Sequence, residues 1–98
     1  MAYQINWTEI ALEDYKRVID YLLSEWSIAV AMEFENIVNQ RLINLSRHPF
    51  TGIKSEKNPM IRSILFTKHN RLYYRIEDNC IELLAIIDTR KNSSQNLF

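Results

Sequence analysis

Tyr3-Gln4-Ile5-Asn6-Trp7 alternates apolar and polar side chains, the period of a strand buried on one face. Thr8 then offers a hydroxyl cap, with Glu9, Glu13 and Asp14 set against the positive end of the helix dipole. Ala11, Tyr15, Val18, Leu22 and Trp26 recur every three or four residues, and Ile19 and Leu23 widen that stripe. Lys16, Arg17 and Asp20 fall on the opposite side, so the spacing predicts an amphipathic helix over 8–25. Ser27 is a second cap, after which Val30, Phe34, Val38, Leu42 and Leu45 continue the pattern, flanked by Ile28 and Ile37. This helix stops near Arg47, because the residue before Pro49 is driven from helical angles. So short a link folds the two helices back on each other as an antiparallel hairpin.

Both prolines and the one glycine, Gly52, lie within 49–60, which reads as the one substantial loop. Beyond it the period changes to two. Strands are expected over 60–66, 71–76 and 80–88, turning through Thr67-Lys68-His69-Asn70 and Glu77-Asp78-Asn79 as an antiparallel meander. The order β-α-α-β-β-β makes a two-layer α+β domain over 1–92, an antiparallel sheet with the N-terminal helical hairpin on one face. Residues 93–98 are expected as a flexible tail. Alternation places Leu72, Tyr74 and Ile76 on one side of the middle strand. Arg71, Tyr73, Arg75 and Glu77 then face the open side of the sheet.

Composition narrows the function classes. Ninety-eight residues at 47% apolar suit one globular domain with a single core. One cysteine, Cys80, cannot form an internal bridge, and no apolar run approaches a membrane span or a secretion signal; a cytoplasmic protein is expected. The net charge of zero conceals an asymmetry: residues 1–49 carry net −3, and 50–75 carry Lys54, Lys57, Arg62, Lys68, Arg71 and Arg75 against Glu56 alone. Free nucleic-acid binders are usually basic overall, so the local basic stretch points instead to an acidic partner, or simply offsets the acidic half.

Candidate chemistry is sparse. His48 and His69 sit in different loops, and a lone cysteine adds no ligand spacing, so neither a metal nor another cofactor is expected. Cys80 at a strand start reads as packing. Arg71, Tyr73 and Arg75 share a strand face, which Arg62 could join from the neighbouring strand and Arg90 from the end of the last. Such a set can hold a phosphate through phosphodiester cleavage, clamp acidic side chains of a partner, or serve only as solvated strand charge.

The order of elements and several local runs resemble the RelE/ParE superfamily, the toxins of type II toxin–antitoxin pairs. The resemblance covers roughly 3–92. It rests on Trp7-Thr8 leading into Ala11-x-x-Asp14, on Tyr21 through Ser27 joining the helices, and on Ala31 and Phe34 beyond. His48-Pro49-Phe50-Thr51-Gly52 is similar to the family's Pro-x-x-Gly loop, and Arg71-Leu72-Tyr73-Tyr74-Arg75-Ile76 to its central strand, with Ile61-Arg62 opening the strand before it. Ile86-Ile87-Asp88-Thr89-Arg90-Lys91-Asn92 is similar to the final strand and its basic end.

The resemblance implies a toxin neutralised by direct binding of a cognate antitoxin, which would carry any contact with operator DNA, and a role such as plasmid stabilisation. Two activities divide the superfamily. ParE-like members poison DNA gyrase; RelE-like members cut mRNA on the translating ribosome with basic residues and often a C-terminal tyrosine. In a nuclease Arg62, Arg71 and Arg90 would be the catalytic candidates. Against that branch, the tail after Arg90 has no Tyr and no His to protonate the leaving oxygen, the helical hairpin spans almost 40 residues, and the net charge is zero. The ParE-like branch is favoured; a relic that only binds antitoxin is the third reading. Arg62, Lys68, Arg71, Tyr73, Arg75 and Arg90 are the expected partner-binding residues.

Overall fold

The structure, a computed structural model, describes residues 2–91 and 98. It is the expected α+β domain, with helices α1 (Glu9–Glu25) and α2 (Ile28–Arg47) packed on one face of a sheet. The strands are β1 (Gln4–Trp7), β2 (Ile53–Lys54), β3 (Ile61–Thr67), β4 (Asn70–Glu77) and β5 (Cys80–Asp88), in the spatial order β1-β5-β4-β3-β2. The expected tail over 93–98 lies outside the described residues, Phe98 excepted.

Local signals set the helix ends. Thr8 Oγ1 accepts from the Ala11 amide at 3.3 Å and Ser27 Oγ from the Val30 amide at 3.2 Å, as hydroxyl caps should. The meander turns at Lys68-His69, next to a register shift between Leu65 and Thr67, and at Asp78-Asn79, where Asp78 adopts φ 56°, a left-handed angle that Asp tolerates.

The sheet is mixed rather than antiparallel throughout. β1 lies parallel to β5, with Gln4 opposite Cys80 and Trp7 opposite Leu83. This pairing spans more than seventy residues of sequence, so no local pattern announces it. Part of the 49–60 loop is also regular: a 3₁₀ turn over Pro49–Thr51 leads into β2, too short to show alternation.

Beyond Trp7 the edge of β5 is covered by α1. Thr8 Oγ1 donates to the Leu83 carbonyl at 2.6 Å, and Asp14 Oδ2 accepts from the Ile86 amide at 3.0 Å, just after a bulge at Leu84. The Trp7-Thr8…Asp14 spacing therefore has a structural use: it ties a helix to a strand edge that would otherwise be open.

The core between the layers holds Ala11, Phe34, Val38, Leu45, Phe66, Leu72, Tyr74, Ile81, Leu83 and Ile86. Trp7, Tyr15, Phe34 and Phe66 form a chain of ring contacts from β1 through both helices to β3, with centroids 5.4, 6.1 and 6.4 Å apart. Such pairs are worth about 0.5–1.5 kcal/mol each beyond the area they bury. Burial, and secondarily Glu35, raise the Tyr15 pKa.

The apolar stripes run past the core. Leu23, Trp26 and Ile28, expected to pack, are exposed together with Met32 around the turn between the helices.

Candidate partner-binding sheet face

Register decides which side chains share the open face. In β4, Leu72 and Tyr74 are buried under the helices, so Arg71, Tyr73 and Arg75 project to the other side, as the alternation predicts. Opposite them, Ile61, Ser63 and Leu65 come from β3, and Glu82, Ala85 and Ile87 from β5.

Arg71 Nη1 donates to Ser63 Oγ at 2.9 Å, and among the described residues Arg71 is in no ion pair. Arg75 is committed: Nη2 lies 2.5 Å from Glu82 Oε1 and 3.1 Å from Glu77 Oε2. Tyr73 stacks on Phe98, centroids 5.2 Å apart and planes inclined by 26°, while the Ser55 hydroxyl donates to the Phe98 carbonyl. Phe98 and Ser55 had no sequence signal beyond the apolar Leu97-Phe98 pair in a polar tail.

Arg62 does not join this group. It stands opposite Tyr74, and so on the helix side of β3, where Nη1 donates to the carbonyls of Phe50 (3.1 Å) and Gly52 (2.9 Å). Its guanidinium also lies 5.2 Å from the centre of the Phe50 ring. Arg90 is likewise apart: its side chain grips Asp88 with Nε to Oδ1 at 3.0 Å and Nη2 to Oδ2 at 2.8 Å. Asp88 pairs with Asn70 in the register that puts Leu72 and Ile86 in the core, so this clasp is at the helix side of the β5 end. The Arg90 side chain, aided by its backbone amide, lowers the Asp88 pKa to about 2. Lys68 is exposed in the β3–β4 turn, where its carbonyl accepts from Thr89 Oγ1 at 2.7 Å.

Tyr74 holds the loop on which Arg62 rests. Its buried hydroxyl donates to the Pro49 carbonyl at 2.7 Å and accepts from the Gly52 amide at 3.0 Å. A Cβ at Gly52 would stand 2.3 Å from that hydroxyl oxygen and 2.9 Å from the Ser63 carbonyl, so the close approach requires glycine. The Pro-x-x-Gly spacing is thus a docking site for a tyrosine.

Chemically, the face offers one guanidinium in no ion pair among the described residues, Arg71, beside one that Glu82 and Glu77 neutralise, Arg75. That can receive a single carboxylate of a partner; it is a poor cradle for the several charged oxygens of a cleaving phosphodiester. Among the described residues no helix is long and apolar enough to cross a membrane.

No curated protein matches the sequence closely enough to count as a relative. Solved structures share the fold at low identity. A chain from the chromosomal ParDE toxin–antitoxin system of P. aeruginosa superposes with TM-score 0.74 at 18% identity, covering 89% of this chain and 96% of that one. An E. coli RelE toxin variant in its free state gives 0.62 at 18%, covering 92% and 86%. A RelBE toxin–antitoxin complex from Mycobacterium tuberculosis gives 0.59 at 19%, covering 90% and 99%. The family model described as the ParE toxin of the type II toxin–antitoxin system parDE matches residues 5–93. With that match spanning both helices and all of the sheet but its first residue, the chain belongs to the ParE toxin family of the RelE/ParE superfamily.

Proposed function

We propose that this toxin arrests growth by inhibiting DNA gyrase in the cytoplasm, without nuclease activity, and is neutralised by a cognate antitoxin. The observation that supports the absence of nuclease chemistry is the dispersal of its arginines. Of the three candidates, Arg62 is spent on loop carbonyls and Arg90 on Asp88, both away from the open face, and only Arg71 remains there without a carboxylate. One guanidinium, beside a carboxylate already paired with Arg75 and a tyrosine stacked on Phe98, is poorly equipped to stabilise a pentavalent phosphate and protonate its leaving group together.

The antitoxin reading is supported by family membership and by toxin–antitoxin complexes among the solved relatives. An acidic segment of the antitoxin would lie on the open face against Arg71, with Lys68 at the rim. Ordering such a segment costs free energy, which a large interface must offset.

Induced expression without antitoxin tests the proposal, scoring growth, an SOS reporter and total protein synthesis together. Arrest with SOS induction and continued early translation is the expected outcome. Arrest with an immediate fall in translation and no SOS signal would transfer the chain to the mRNA-cleaving branch. Normal growth would leave an antitoxin-binding relic.

A further inference from the structure

The turn between the two helices carries an apolar cluster that the core does not use. Trp26 is 67% exposed, Ile28 69%, Met32 60% and Leu23 47%. Leu23 and Trp26 are three residues apart, Ile28 and Met32 four, so each pair lies along one side of its helix end. Together they expose on the order of 400 Å² of apolar surface, within the roughly 300–600 Å² of the largest, often functional, patches on soluble proteins. The turn itself does not require them. Ser27 supplies the cap, and the Trp26 amide closes α1 by donating to the Leu22 carbonyl, a bond any residue but proline could make.

The segment that carries the patch is acidic, and a cation that approaches it, Arg90 near Tyr21, is already held by Asp88. Residues 20–35 include Asp20, Glu25, Glu33 and Glu35 and no Lys or Arg. All four carboxylates are exposed, and among the described residues none is in an ion pair. This field repels nucleic-acid phosphate and selects a protein surface whose apolar centre is bordered by Lys or Arg. It is also the wrong sign for the acidic segment assigned to the open face of the sheet, on the other side of the molecule.

We propose that the tip of the helical hairpin, through Leu23, Trp26, Ile28 and Met32 within a carboxylate rim, is the surface with which this toxin grips its target protein, separate from the antitoxin site. The proposal rests on the toxin reading above. It divides the molecule into an apolar, acidic-rimmed tip for the target and a sheet face for the antitoxin. Neutralisation then acts by the bulk of the bound antitoxin or by displacing the target, not by masking the tip residues themselves.

Two double variants test it, W26S/M32S and E25K/E33K, both altering exposed side chains so that the fold is expected to keep its melting temperature. Each is expressed without antitoxin, and each purified chain is titrated with the cognate antitoxin and examined for self-association by sedimentation. The expected result is loss of growth arrest, seen as at least a tenfold rise in surviving colonies, with antitoxin affinity within about twofold of the parent. Arrest equal to the parent chain would overturn the proposal. So would a parallel loss of antitoxin affinity, which would assign the tip to the antitoxin, or a parent dimer that both variants dissolve, which would assign it to a second copy. A parent chain that causes no arrest would overturn the toxin reading itself, and the unmutated arm alone reports that failure.

Discussion

Replacing Tyr74 with Phe removes one oxygen atom from the core and leaves two backbone groups without partners. The hydroxyl is bonded to the Pro49 carbonyl and the Gly52 amide, both in buried residues. A buried polar group stripped of its partner costs about 1–3 kcal/mol, and the ring itself stays in place, so the loss is about 3 kcal/mol. For a domain of this size each kcal/mol moves the midpoint by about 4–8 °C, so Tm should fall by at least about 12 °C. Differential scanning calorimetry, with urea unfolding as a second probe, reads this directly. The loss should also loosen the Phe50 and Gly52 carbonyls that hold Arg62, visible as faster amide exchange in the loop. A change below about 0.5 kcal/mol with an unchanged loop would refute the reading of Tyr74 as the anchor of the Pro-x-x-Gly segment.

The same site carries a pH signature. Burial, the largest cause, raises the Tyr74 pKa, so its stabilisation is present in full below the ordinary tyrosine value and is lost as pH rises through the folded one; Y74F should flatten that alkaline limb. At the acid end, Asp88 is held at about 2 by Arg90, so its contribution is present above the ordinary carboxylate value and is lost as pH falls through 2. NMR titration of R90A should return Asp88 toward 3.8, and an unmoved midpoint would contradict the clasp. Replacing Asp14 with Ala orphans the Ile86 amide at the β5 edge and should cost about 1–3 kcal/mol in urea unfolding; a neutral result would remove the edge-covering role. R71E should weaken antitoxin binding at least tenfold by calorimetry without lowering Tm, whereas R62E should lower Tm as well, because its guanidinium is built into the loop. Unchanged affinity for R71E would sink the assignment of the open face.

What the sequence revealed divides along the line between local and non-local physics. Thr8 and Ser27 as caps, the stop before Pro49 and the two turns depend on neighbours within four residues, and all stand where the pattern puts them. The face of β4 was legible because Leu72, Tyr74 and Ile76 oppose Arg71, Arg75 and Glu77 without ambiguity. In β3 both parities are apolar, Ile61 and Leu65 on one side, Ile64 and Phe66 on the other, so alternation alone could not place Arg62, and a one-residue difference reverses its face. The Arg90–Asp88 clasp depends on how the chain turns after β5. The exposed tip shows the complementary limit: a 3.6-residue period identifies a side of a helix, but only the extent of the opposing sheet decides where that side stops being covered.

The central claim is that this chain inhibits gyrase and cuts no RNA. Purified gyrase assayed for DNA supercoiling, with the chain added alone and then with its antitoxin, tests it most directly, alongside a translating-ribosome assay for mRNA cleavage. The account predicts that supercoiling fails when the chain is present, returns when antitoxin is added, and that mRNA stays intact. Undisturbed supercoiling together with ribosome-dependent cleavage that disappears in R71A would contradict it.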